Sequence, residues 1–546
     1  MTASFRTRFA VIAIVMAYLC LLGYYGLLEP DEGRYAEMGR EMLNSGDFII
    51  PTLNGIPHFQ KPPMINYATA LSLGIFGNNE IGARMPNVFA GLSVLALTYL
   101  IGLRWFSVQI GRIACWMLAG CLLFFMLSRT LTPDMMMTFW ATASIASFAL
   151  ATTQKKPRIF HFIPYFLCMG LAFATKGPVG LIVPWVTGIG WQWRRRDTSP
   201  PPRIPWILFP LITLPIALSW FIACSIRHPE LASYFFKYEF LERLFSKTHG
   251  RSQPFWFFLP VLILGWMPWA PFAALSLAKR KETQPSTRPE SYSALFAWIL
   301  PPLLLLSLSG SKLLTYVLPL FPGIALWLAS QVSSCKDGRL LKGCANVQQG
   351  FFGVLTLGTL TLLFLGKSKF NLDLNNVALA GTVMASVLGM LASRQLRAHL
   401  TEQKVIAVSL VAMLCWLTLL LQLPHLGPQL GIQTSLKPLA ERIKADPEWP
   451  QATFAMIGSR GHGLEFYLER FTSTFRNHAD IVLEPDNPTA LRLLDGPQDI
   501  DKVLLSGQPV FLVTHKRNQS DLRPEAWTFL QQQGAFMLYK SIAQKQ

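Results

Sequence analysis

LEPDEGRYAEMGREMLNSGDFIIPTLNGIPHFQK, residues 28–61, follows directly on an apolar run long enough to cross a bilayer. It places two adjacent carboxylates, Asp31 and Glu32, at the mouth of that run. Arg34, Tyr35 and, further on, Lys61 come next. Polar residues this dense beside a bilayer are costly unless they serve a site at its surface. The stretch therefore separates three classes of membrane protein: a transporter, a structural protein and an embedded enzyme.

Composition supports the membrane setting. The 546 residues are 51% hydrophobic and only 14% charged, with mean hydropathy +0.35, whereas soluble proteins carry about 25% charged residues. The net charge of +18 is spread over short loops between apolar segments, as membrane topology requires. No basic patch with stacking aromatics stands apart from those segments, so nucleic acid is not an expected partner. Most of the eight cysteines fall in apolar segments, where they behave as small hydrophobes. Neither a CxxC pair nor a His partner supports a zinc site.

Arg6 and Arg8 precede the first apolar run, which reads as an uncleaved signal anchor. Thirteen spans are expected: 9–28, 86–104, 113–128, 134–153, 159–175, 178–193, 204–225, 255–278, 292–308, 316–332, 347–366, 376–393 and 405–423. With the N-terminus inside, the even turns return to basic loops at Arg104/Arg112, Lys155–Arg158, Arg194–Arg196, Lys279–Lys281, Lys336–Lys342 and Arg394/Arg397, as the positive-inside rule demands. The expected organisation is a membrane domain at 1–423 with outer loops at 28–85 and 226–254, then a soluble outer domain at 424–546. That last domain alternates strand-like runs (453–457, 509–514, 536–539) with helix-like ones (435–445, 487–494), so a small α/β unit is expected.

In the first loop, Asp31, Tyr35, Met38 and Met42 recur at helical spacing opposite Glu37, Arg40 and Glu41, which predicts an amphipathic helix lying at the interface. Pro57, Pro62 and Pro63 predict a short turn around Lys61. Asp31 and Glu32 read as a helix N-terminal cap, as catalytic or positioning carboxylates, or as both. Lys61 reads as a snorkelling lysine or as a fixed ammonium for a phosphate. The second loop carries Lys237, Glu239, Glu242, Arg243, Lys247, His249 and Arg251 among aromatics. Arg243 and Arg251 are its candidate phosphate ligands, because a guanidinium binds two oxygens at once. Lys312 and Tyr316 lie on another outer turn and are further candidates. Lys176 and Asp134 fall at outer ends of spans, where a structural ion pair or helix-end role stands beside a substrate role. Carboxylates with several fixed cations and no nucleotide motif suit group transfer from a lipid-phosphate donor, the cations stabilising the departing phosphate.

The segments Pro30–Glu37, Arg40–Met42, Ser45–Phe48 and Phe59–Pro62 resemble the first outer loop of the bacterial aminoarabinose transferases, GT-C-fold enzymes related to protein O-mannosyltransferases. Further similarity lies at Thr175–Gly177, Pro254–Trp256 and Ser311–Pro319. The resemblance implies a polytopic α-helical GT-C membrane protein with about thirteen transmembrane helices and a small periplasmic α/β domain. It implies transfer of 4-amino-4-deoxy-L-arabinose from undecaprenyl phosphate to lipid A phosphate at the outer face of the bacterial inner membrane, which confers polymyxin resistance. The resemblance makes Asp31 the catalytic aspartate and Lys61 the donor-phosphate lysine, and matches Tyr35 to the family's tyrosine after the arginine; the loop reading adds Arg243, Arg251, Lys312 and Tyr316 as phosphate ligands. Glu32, Arg34, Tyr35 and Asp134 contact substrate. No cofactor or metal is expected: Gln60 stands where the family usually has glutamate, and the 244–253 segment is shifted in spacing. Another sugar or acceptor remains an alternative within the class. A secondary transporter or flippase is the alternative outside it, but transporters gather their charges near the midplane and here they gather at the outer rim.

Overall fold

The computed structural model describes residues 3–194, 203–229, 231, 253–273, 289–335, 338–370, 372–397, 400–430, 435–457, 461–475, 493–494, 508–522 and 524–542. The membrane part is built from α1 (Ala3–Leu19), α4 (Glu80–Trp105), α5 (Val108–Gly120), α6 (Leu122–Leu127), α7 (Pro133–Thr152), α8 (Ile163–Lys176), α9 (Val179–Arg194), α10 (Leu214–Arg227), α11 (Phe258–Gly265), α12 (Pro289–Leu308), α13 (Phe321–Ser334), α14 (Gly338–Phe370), α15 (Asn376–Gln395) and α16 (Glu402–Leu420). Nine helical segments among the described residues are long and apolar enough to cross a membrane. The chain is a multi-pass membrane protein. Each of the thirteen expected spans coincides with a helical segment, though several are shorter or broken. The 113–128 span splits at Cys121 into α5 and α6. The 255–278 span is helical only over α11 and briefly near Phe272, and its end lies outside the described residues. Val354, Phe364 and Val377 stand exposed on α14 and α15, as side chains facing lipid do.

The first span departs most from expectation. A single helix over 9–28 was expected, but α1 stops at Leu19 and Leu21 takes a left-handed φ of 62°. Two buried arginines explain the stop. Arg129 donates to the carbonyls of Ala17 (2.7 Å), Tyr18 (2.6 Å) and Cys20. Arg84 donates to those of Leu22 (2.5 Å), Tyr25 (2.8 Å) and Gly26 (3.0 Å). Carbonyls at a helix end have no intrahelical partner, and these guanidinium groups supply one inside the core.

The 28–85 loop folds into α2 (Asp31–Ser45), a hairpin of β1 (Thr52–Leu53) and β2 (Ile56–Pro57), and α3 (Met64–Phe76). Pro30 precedes α2, the acidic pair fills its first turn, and Gly46 at φ 68° closes it with its N–H on Met42 O (3.1 Å). Glycine reaches that left-handed conformation without penalty. The α3 helix was not expected; its 13 residues rise only about 20 Å, too short to cross. A second difference concerns α2. It was expected to lie along the interface as a two-faced helix, and Glu37, Arg40 and Glu41 on its polar face are buried with the apolar face. The terminal unit covers them.

After α17 (Leu423–Leu430), that unit consists of α18 (Lys437–Lys444), α19 (Gly463–Leu468) and a six-stranded sheet. Its strands are β3 (Thr453–Ile457), β4 (Ser473–Phe475), β5 (Leu493–Leu494), β6 (Val510–His515), β7 (Trp527–Gln533) and β8 (Phe536–Ser541). The order is β5-β4-β3-β6-β8-β7, parallel from β5 to β6, with β8 and β7 antiparallel. The three expected strands and the 435–445 helix are present. Most of the expected 487–494 helix lies outside the described residues, and its last two residues form β5 instead.

Candidate functional site

The site grows from the N-terminus of α2. Asp31 is half exposed, and Arg34, one turn on, donates to its carboxylate. Arg34 also lies 5.2 Å from the centre of the Tyr35 ring. Tyr35 is buried, and burial raises its pKa, so its phenol stays protonated. Its oxygen accepts a 2.7 Å hydrogen bond from Lys61 Nζ. From α7, Asp134 is placed in the first turn by Pro133 and accepts from Lys176, the last residue of α8. The Lys176 ammonium stands 4.5 Å from the ring of Tyr316, which belongs to a 3₁₀ turn at Leu314–Leu320. Residues more than a hundred positions apart in the chain thus meet at one locus.

Its electrostatics favour an anion. Lys61 lies half-buried, and loss of water together with the positive charges of Lys176 and Arg34 pushes its pKa down to about 7, against the opposing pull of Asp134 and Asp31. Cations held together at such cost gain most from a multiply charged oxyanion. A small crevice opens beside them, lined by Arg34, Tyr35, His58, Gln60, Lys61 and Asn66, with Met38, Pro62 and Ile65 as its apolar wall.

Glu32 departs from its expected role as a substrate contact. It is buried, and four donors fill its carboxylate: Leu28 N (2.9 Å), Leu131 N (2.9 Å), Arg84 Nε (2.9 Å) and Arg84 Nη2 (2.7 Å). All five N–H groups of Arg84 are thereby used. Glu32 fastens the start of α2 to α4 and α7 and leaves Asp31 as the outward carboxylate of the pair. Lys312 is also more constrained than expected. It is buried, and its ammonium donates to the carbonyls of Gln253 (2.9 Å) and Ser309 (2.5 Å), holding two segments of the chain together. Arg243 and Arg251, with Lys237, Glu239, Glu242, Lys247 and His249, lie outside the described residues. Among the described residues no three His, Cys, Asp or Glu side chains converge as a metal-binding group. Arg84 and Asn66 were missed in the sequence: both sit within helices whose apolar character hid them.

The terminal unit braces this loop. Tyr467 accepts from Leu27 N (2.7 Å) and donates to Glu80 (3.0 Å), which also pairs with Lys437 (2.8 Å). Gly463 N donates to Glu29 (2.8 Å), two residues before Asp31. Asn54, left-handed at φ 56°, exchanges two hydrogen bonds with the Thr472 backbone (2.6 and 2.9 Å). Gly33 faces Gly463 so closely that a Cβ on Gly33 would sit 2.5 Å from the Gly463 nitrogen. Phe466 completes a hydrophobic cluster with Leu27, Tyr35, Met38, Leu53 and Ile65.

Residues 4–235 match the family of dolichyl-phosphate-mannose-protein mannosyltransferases. Among curated proteins, the undecaprenyl phosphate-α-4-amino-4-deoxy-L-arabinose arabinosyl transferase of Aeromonas salmonicida is 31% identical over 379 residues, 66% of this chain and 67% of the relative. This chain belongs to that arabinosyl transferase family. It is a glycosyltransferase. The transferase of the same description from Photorhabdus laumondii is 32% identical, the match covering 63% of each chain; the matched stretch is about two thirds of the relatives' length. Among solved structures, ArnT from Cupriavidus metallidurans bound to undecaprenyl phosphate superposes with a TM-score of 0.84, at 22% identity and 99% coverage of both chains. The archaeal oligosaccharyltransferase AglB from Archaeoglobus fulgidus gives 0.50 at 12% identity, over 98% of this chain and 74% of that one. The fold is the GT-C fold expected from the first-loop residues.

Proposed function

We propose that this glycosyltransferase moves 4-amino-4-deoxy-L-arabinose from undecaprenyl phosphate to a phosphate of lipid A, at the periplasmic face of the bacterial inner membrane. The observation that carries the reading is the convergence of Lys61, Arg34 and Lys176 beside the outward carboxylate Asp31, in a chain of this family. The donor is a phosphodiester. An acceptor phosphate oxygen attacks the anomeric carbon, the bond from that carbon to the donor phosphate oxygen breaks, and undecaprenyl phosphate leaves with the electron pair. Its charge grows from one to two, so cations fixed at its oxygens bind the transition state more tightly than the ground state. Lys61 and Arg34 are the described residues suited to that role. The Asp134 carboxylate and the Tyr316 ring fix Lys176 nearby.

The acceptor phosphate is already ionised at neutral pH, so Asp31 has no proton to remove from it. Its role is to orient the sugar through a hydroxyl or amino group, with Arg34 fixing its rotamer. The test is mass spectrometry of lipid A from cells lacking this gene, complemented with wild type or with Asp31→Asn. An aminoarabinose-sized addition restored by wild type alone supports both the reaction and the need for Asp31. Unchanged lipid A in the deletion strain, with no second copy of the gene, overturns the substrate assignment.

A further inference from the structure

One polar group in the crevice is not used by the phosphate chemistry. Asn66 lies in the first turn of α3, only 2% exposed, and lines the crevice with Lys61, Tyr35 and Arg34. Its amide oxygen is buried and accepts no hydrogen bond among the described residues. A buried acceptor left unmet is destabilising, and a leucine of similar shape would avoid the penalty. The neighbouring cations are aimed elsewhere: Lys61 Nζ at the Tyr35 hydroxyl and Arg34 Nη2 at Asp31. The missing donor is therefore supplied by whatever fills the crevice.

An ionised phosphate brings only acceptors, whereas a sugar brings hydroxyl groups and an amino sugar brings an ammonium as well. We propose that Asn66 accepts a hydrogen bond from the sugar of the lipid-linked donor and so reads the sugar while Lys61 holds the phosphate. This inference rests on the donor-site reading above. A neutral amide fits this position, because a carboxylate here would pair with Lys61 or Arg34 and weaken the anion site.

The test compares full-length wild type, Asn66→Leu and Asn66→Asp in detergent or nanodiscs. Two ligands are titrated: undecaprenyl phosphate without sugar, and undecaprenyl phosphate carrying 4-amino-4-deoxy-L-arabinose. Asn66→Leu is expected to bind the bare lipid within about twofold of wild type and to lose about tenfold or more for the sugar-bearing donor. Asn66→Asp, whose carboxylate pairs with Lys61 or Arg34, is expected to weaken binding of both ligands, which separates the effect of added charge from the loss of the acceptor in Asn66→Leu. The empty Asn66→Leu protein is expected to melt at or above the wild-type temperature. Equal losses for both ligands in Asn66→Leu would make the amide a phosphate contact and overturn the proposal. No loss for either ligand, or a lower melting temperature, would make it purely structural and overturn it too. Wild type that binds neither ligand would instead overturn the donor-site reading.

Discussion

Asp31 and Glu32 share a side-chain chemistry and differ in everything around it. The Asp31 side chain is 44% exposed and Glu32 is 1% exposed, closed in by the fully buried Arg84. Removing one partner of a buried pair leaves the other charge uncompensated, at about 3–5 kcal/mol. Glu32→Ala is therefore expected to lower the melting temperature sharply and reduce folded yield, measured in detergent. Asp31→Asn is expected to leave the melting temperature unchanged and to abolish transfer. Lys61 supplies a prediction in pH. Its folded value of about 7 lies below the ordinary 10.5, so the empty protein gains stability from this group as pH rises between those values. Bound phosphate favours the ammonium, so binding above pH 7 takes up a proton. Affinity for undecaprenyl phosphate should then fall as pH rises from about 7 to 9, by at most about tenfold per unit. Calorimetry in buffers of different ionisation enthalpy checks the uptake, and a flat affinity over that range would disprove it. Asp31, Arg34, Tyr35 and Lys61 could be picked out in the chain because charged groups beside a membrane span need a reason. Asn66 could not, since one amide in an apolar helix gives no sign of being unpartnered until its neighbours are placed.

Helix α2 shows the same limit for a whole element. Its spacing marked it correctly as a helix with two faces, but the polar face meets α19 rather than water. Glu465 faces this contact, buried and bonded to the Thr472 hydroxyl (2.5 Å), and burial pushes its pKa up to about 8 from 4.5, helped by the nearby negative charge of Glu37. The docked form thus holds a proton that the undocked form releases, so docking weakens as pH rises from about 4.5 to about 8 and changes little above that. Glu465→Gln mimics the protonated form. The drop in melting temperature between pH 6 and pH 9 is expected to shrink in that variant. An identical drop in variant and wild type would refute the linkage. Tyr467→Phe should cost about 1–3 kcal/mol, because Leu27 N and Glu80 lose their shared partner. If the terminal unit braces the segment before Asp31, this variant loses turnover more than donor affinity, as a comparison of kcat with Kd would reveal.

At the scale of the molecule, the thirteen spans expected from the sequence predict that the two ends of the chain lie on opposite sides of the membrane. Reporter fusions after Arg158 and at the C-terminus are expected to report opposite compartments, the first cytoplasmic; matching signals would refute the count. The apolar stretches, their basic turns and the α/β character of the tail were all legible in order along the chain, because hydropathy, charge bias and strand alternation are local properties of neighbouring residues. The early end of α1 was not, since it depends on carbonyls captured by Arg84 and Arg129 from other helices. Nor was the burial of Glu37, Arg40 and Glu41, which depends on a helix more than four hundred residues away. The sequence by itself determined that this chain crosses a membrane many times and carries a loop dense in charge directly after its first span. Only the tertiary structure decided which carboxylate of the Asp31–Glu32 pair faces outward, which cations share one locus and what the terminal unit holds in place. Each of those outcomes depends on long-range partners that desolvate a group or satisfy its hydrogen bonds, and such partners leave no periodic mark in the residues they select.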